Sequence, residues 1–251
     1  PPRSTLFPYT TLFRSLAQMV AASLRPDGTS IHIARVPGGI AAAVQPDHSD
    51  RADLIITGLT ARAYPLDERV LTPWLDRLAI DRLGKAILLS GDFVGAAQFL
   101  RLAESFGVDT VFVHHRLAGT LFDLTDGEEA GLPWISFGDT VSRTADGLHL
   151  EHTGVSLHLA DCDLIFVHDN ADHSLQAASG RRAGESRWLI CGGTWDGLTD
   201  AIPFDRIICA ESEQPADSLT GSPVINLRSV GALTLRLRPE SPNPAQIVGS
   251  D

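Results

Sequence analysis

The stretch from Leu66 to Gly107, LDERVLTPWLDRLAIDRLGKAILLSGDFVGAAQFLRLAESFG, constrains the fold more than any other part of the chain. Val70, Leu71, Trp74, Leu75 and Leu78 recur at the spacing of an amphipathic helix. Asp67 and Glu68 fall in its first turn, where negative charge suits the helix dipole. Ala86 to Leu89 reads as a buried strand, Ser90-Gly91-Asp92 as a tight turn, and Val94 to Ser105 as a second helix that Gly107 closes as a C-cap glycine. A buried strand running into a short loop before a helix is a common seat of chemistry, because the loop is exposed while its flanks are rigid. Here Gly91, Phe93, Gly95 and Ala96 supply neither a nucleophile nor a ligand. A well-kept scaffold around an emptied turn points away from ordinary catalysis.

The rest of the chain reads as strands with few helices. Ser30 to Val36 and Ile40 to Val44 form a hairpin about Pro37-Gly38-Gly39, and Asp53 to Thr57 (DLIIT) is a fully buried strand. Asp109 to Val113 is another, ending in His114-His115. Adjacent residues of a strand face opposite ways, so these two histidines can share a metal ion only across a bend. Leu132 to Phe137, Gly147 to His152, Val155 to Leu159 and the fully buried Asp163 to Val167 follow. Arg187 to Cys191 then leads to a Gly192-Gly193 turn, and Arg206 to Cys209, Val224 to Leu227 and Val230 to Leu237 complete the set. Two groups of strands, each followed by a helix, predict an α/β fold in which two mixed sheets lie between helices, a four-layer αββα sandwich.

At 251 residues, 43% of them apolar, the chain can bury a core without staples. Cys162, Cys191 and Cys209 lie 29 and 18 residues apart, which matches no zinc spacing or paired disulfide framework and predicts buried apolar thiols. No apolar run approaches the ~18 residues that span a bilayer, so the piece itself is expected to be soluble. The formal net charge is −11 and Lys85 is the single lysine. An acidic surface repels the phosphates that supply most nucleic-acid affinity, so tight direct nucleic-acid binding is not expected. Thr5 to Ser15, TLFPYTTLFRS, is identical to one reading frame of a widely used short-read sequencing adapter, which marks residues 1–15 as a non-native segment joined to a truncated gene. Residues 16–28 then read as a linker, 29–238 as the folded domain, and the Pro-, Ser- and Asn-rich 239–251 as a disordered tail.

One segment keeps chemically active residues together. His168-Asp169-Asn170-Ala171-Asp172-His173 follows a buried strand. It resembles the His-x-His-x-Asp-His metal signature of metallo-β-lactamase-like hydrolases, with Asn170 in place of the second histidine. His168, Asp169, Asp172 and His173 are therefore the candidate ligands for zinc or manganese, which would lower the pKa of a bound water. The position is unusual for that signature, since only 78 residues and no further histidine follow His173. A full shell would need Asp196, Asp200, Asp205, a cysteine, or His114 and His115. The alternative is a polar helix start capped by Asp169 or Asn170.

The hairpin with its Pro-Gly-Gly turn, DLIITG, ERVLTPWLDRLAIDRLGKAILLS, GDTVSRTADGLHLEH, LIFVHD and VGALTLRL, taken in order over Thr29 to Leu237, resemble the C-terminal metallo-β-lactamase-like domain of ComEC-type competence proteins, which internalise DNA. The resemblance implies that the family's first metal motif would place its histidines on Gly91 and Phe93, its aspartate on Gly95 and its third histidine on Ala96. The bridging aspartate falls on Asp169, and the His-His-Gly segment falls near Cys191-Gly192-Gly193. Apart from Asp169 these positions hold no family ligand. The resemblance thus implies a non-catalytic domain with no resident cofactor, extracytoplasmic in its native protein and attached to a membrane channel upstream. Two alternatives are an active metal hydrolase or nuclease centred on His168 to His173, and a soluble ligand- or partner-binding domain.

Overall fold

The computed structural model describes residues 28–46, 49–60, 65–124, 134–138, 142–143, 148–150, 154–159, 162–168, 186–195, 204–212, 223–237 and 245–247. Two mixed sheets stack into an α/β sandwich, and the alternation of apolar residues shows why. In β3 (Arg51–Ile56), Ala52, Leu54 and Ile56 face the helices while Ile55 faces the other sheet. In β4 (Arg82–Leu88), Ala86 and Leu88 face the helices and Ile87 faces inward. A strand apolar on both faces must be covered on both.

The first sheet starts from the hairpin of β1 (Thr29–Val36) and β2 (Gly39–Gln45), and β3 joins β2 antiparallel. Gly38 turns the hairpin at φ +88°. From β3 onward pairing is parallel, through β4 and β5 (Thr110–His114) to β6 (Trp134–Phe137). The second sheet repeats the plan. β7 (Ser142–Arg143), β8 (Leu148–Leu150), β9 (Gly154–Leu159) and β10 (Cys162–Val167) pair antiparallel. β11 (Ser186–Trp195), β12 (Arg206–Ser212) and β13 (Val224–Asn226) then add in parallel. β14 (Ala232–Leu237) returns to the first sheet beside β1.

Helices cover the outer face of the first sheet. α1 opens with a π-helical turn at Asp67–Leu71 and continues as an α-helix over Thr72–Arg77. α2 (Phe93–Ser105) and α3 (His115–Leu124) follow, and a short α4 (Leu227–Val230) leads into β14. The outer face of the second sheet is apolar too, with Ile165, Val167, Leu189, Cys191, Ile207 and Cys209 all buried. Among the described residues no helix is long and apolar enough to cross a membrane.

Five features depart from the sequence expectations. Asp67 is buried at 4% exposure and its Oδ2 accepts from Arg101 Nε at 2.9 Å, so its partner is a side chain on α2 as well as a helix dipole. His114 ends β5 and His115 begins α3, a helix that no breaker announces. Gly192-Gly193 does not turn the chain: β11 runs through the pair, and its register against β12 shifts between Cys191 and Thr194. Val230 belongs to α4, so the last long strand starts at Ala232. Within the stretch expected to be disordered, Ala245–Ile247 forms β15 against Leu235 to Leu237.

Candidate functional site at the carboxyl edge of the sandwich

The parallel strands of both sheets end at one edge, and backbones meet there at closer range than side chains allow. A Cβ on Gly39 would lie 2.6 Å from Gly58 N, and one on Gly58 would lie 2.3 Å from Gly38 O and 2.6 Å from the His168 ring. A Cβ on Gly192 would lie 1.9 Å from Thr57 Oγ1. That hydroxyl is fully buried; it accepts from Ile40 N at 2.9 Å and donates to Ile40 O at 3.3 Å. Glycine at these positions lets the ends of β3, β10 and β11 and the β1–β2 hairpin touch.

The turn between β4 and α2 sits at this edge. Leu59 bridges to Gly91, Leu59 N donates to Ser90 O at 3.0 Å, and Asp92 N donates to Leu59 O at 3.1 Å. Asp92 caps α2, its Oδ1 accepting from Gly95 N at 2.6 Å. The cap satisfies one of the donors a helix start leaves open. Gly95 and Ala96 are buried, whereas Phe93 and Val94 are 53% and 42% exposed. The residue types at 91, 93, 95 and 96 supply no ligand, and the neighbouring carboxylate of Asp92 is already engaged with its own helix.

The bend that the histidine pair required is present. The strand-to-helix junction sets the His114 and His115 rings with centroids 4.3 Å apart, and His114 also meets the edge of Phe137 at 5.4 Å. A Cβ on Gly138, which has φ +105°, would lie 2.5 Å from His115 Nδ1 and 2.8 Å from His114 Nε2. The pair is thus a packed corner in which His114 is buried.

His168 follows β10 and lies against Gly58, while Asp169, Asp172 and His173, with Asp196 and Asp200, lie outside the described residues. Asp205 belongs to the opposite edge. It precedes β12, its Oδ2 accepts from Arg187 N at 2.7 Å, and the length of β10 separates it from His168 by about 20 Å. The three cysteines are buried and none is in a disulfide. Burial first, then the charges of Asp163 and Asp205, pushes the Cys162 thiol up to about 12, and burial pushes Cys209 up to about 11. Thiols held this firmly protonated are inert packing groups. Among the described residues no three His, Cys, Asp or Glu side chains come together to hold a metal ion.

No family model and no curated protein matches the chain. The site must therefore be read from its own geometry. One feature of it had no signal in the sequence: Arg35 on β1 donates from Nη2 to Glu211 Oε1 on β12, joining the two sheets across the mouth of a cleft. The partners are 176 residues apart, so only the fold brings them together.

Proposed function

We propose that this is a non-catalytic metallo-β-lactamase-like domain, the extracytoplasmic part of a ComEC-type DNA-uptake protein whose membrane channel precedes it. The reading is supported chiefly by the β4–α2 turn. A buried parallel strand delivers the chain to the edge where such a domain would bind metal, and the turn there is built from Gly91, Phe93, Gly95 and Ala96. Asp92, the carboxylate within it, caps the helix. The arrangement of two mixed sheets, each an antiparallel meander followed by parallel strands, agrees with the proposed ancestry. The acidic charge agrees with a domain that does not itself grip DNA.

Metal analysis of the purified chain tests this. Zinc and manganese are expected well below one ion per chain after dialysis against a buffer holding micromolar amounts of each. One or two tightly held ions per chain would overturn the proposal. Loss of those ions in His173→Ala would then move the site to His168, Asp169, Asp172 and His173 and favour a metal hydrolase.

A further inference from the structure

A cleft of about 280 Å³ opens at the carboxyl edge between the β1–β2 hairpin and the ends of β11 and β12. Arg35 and Glu211 line it with half-exposed side chains, Ala210 is buried along its wall, and Val36, whose side chain packs into the helix-facing core, completes the lining with glycine backbone from the hairpin and from β11. Its size suits a small metabolite and is below the roughly 300–1,000 Å³ of sites for larger ligands.

The charges select the ligand. Arg35 and Glu211 bond to each other, yet both side chains are 41% exposed. A pair so exposed contributes at most about 1 kcal/mol, so parting it costs little. A simple anion entering on Arg35 would displace Glu211 and sit beside its freed carboxylate, and a simple cation would meet Arg35 in the same way. A molecule with both charges replaces one ion pair by two. The guanidinium fork matches a carboxylate in two-point geometry, and Glu211 can accept from an ammonium group. Buried Ala210 and the glycine backbone leave room for a small apolar side chain beside the charges.

We propose that this cleft binds a free α-amino acid with a small apolar side chain, its carboxylate on Arg35 and its ammonium on Glu211. The proposal stands apart from the domain's ancestry and from its metal content.

Titration of L-valine into the ¹⁵N-labelled chain tests it, with isobutyrate, isobutylamine and inorganic phosphate as separate arms. Saturable amide shifts are expected at Gly38, Gly39, Gly192 and Gly193 with valine, and at least about tenfold weaker binding of each singly charged probe. Arg35→Gln and Glu211→Gln should each weaken valine binding by about tenfold or more while leaving the urea midpoint near that of the parent. No saturable shift with valine overturns the proposal. So does isobutyrate or phosphate binding as tightly as valine, which would make the cleft a plain anion site, or isobutylamine doing so. Unchanged valine affinity in both variants also overturns it. Should a variant fail to fold, the four probes on the parent chain decide the question.

Discussion

Gly95 gives a test in which local propensity and tertiary packing predict opposite signs. It lies three residues inside the cap of α2, and in a helix the change from glycine to alanine stabilises by about 0.5–1 kcal/mol. In this fold the added Cβ would lie 2.1 Å from Leu59 O and 2.9 Å from Leu59 C. Both are main-chain atoms, so no flexible side chain can swing aside. Leu59 O must move by about 1.3 Å or more to reach ordinary contact, and it then loses the bond from Asp92 N, now 3.1 Å. Overpacking of this kind costs about 1–3 kcal/mol and the lost bond about 1 kcal/mol. Less the helix gain, Gly95→Ala should destabilise by about 1–3 kcal/mol, read as a lower urea midpoint at unchanged slope. Gly119 is the control, since it lies exposed in α3 with nothing within 4 Å of a new Cβ. Gly119→Ala should therefore stabilise by about 0.5–1 kcal/mol. If Gly95→Ala stabilised as much as Gly119→Ala, the contact between α2 and Leu59 would be wrong, and with it the account of the emptied turn.

Gly192→Ala should cost about 1–3 kcal/mol, because its Cβ would overlap Thr57 Oγ1 at 1.9 Å. The cost should largely vanish in a Thr57→Gly background, and additivity within about 0.5 kcal/mol would rule out that contact as its source. The buried thiols make stability depend on alkaline pH. Below their ordinary value of 9.0 both folded and unfolded chains hold the protons. Between 9.0 and the folded values of about 12 for Cys162 and about 11 for Cys209, only the unfolded chain ionises, so stability falls as pH rises. Urea midpoints between pH 9 and pH 10.5 should fall less steeply in Cys162→Ala than in the parent, and equal slopes would assign the loss to other groups.

The layers of the fold were legible because a few apolar runs carry both parities. Leu54-Ile55-Ile56 and Ile87-Leu88 each serve the helix-facing core and the inter-sheet core, as a strand covered on two sides must. Junctions were harder to read. His114 passes from strand into the helix at His115 with no glycine, proline or cap between them. Gly192-Gly193 resembles a turn by composition, but at Gly192 the missing side chain makes room for Thr57, a fact of the other sheet. Asp67 resembles a helix-start acid, while its burial against Arg101 depends on how α1 and α2 pack. The candidate site divides the same way. His168 was visible as a strand-end residue, whereas the Arg35–Glu211 pair has no local signature.

On the proposed reading, the turn at Gly91 to Ala96 would be more than a metal loop with its ligands removed. In such a loop the four positions would be free to regain ligands, since side chains there would point into open space. Here Cβ atoms at 91 and 95 would lie 2.8 Å and 2.1 Å from Leu59 O. The bridge between Leu59 and Gly91 and the cap from Asp92 hold the turn against the end of β3. An aspartate at 95 would also set a second carboxylate next to that of Asp92, whose Oδ1 lies 3.0 Å from the Cβ position, and neighbouring like charges in a partly buried site repel. At 91 and 95 main-chain packing therefore occupies the place where a ligand side chain would start, while Phe93 points to solvent. The glycines of this turn bring the start of α2 against the end of β3, and restoring ligands would have to prise those elements apart before a metal could bind.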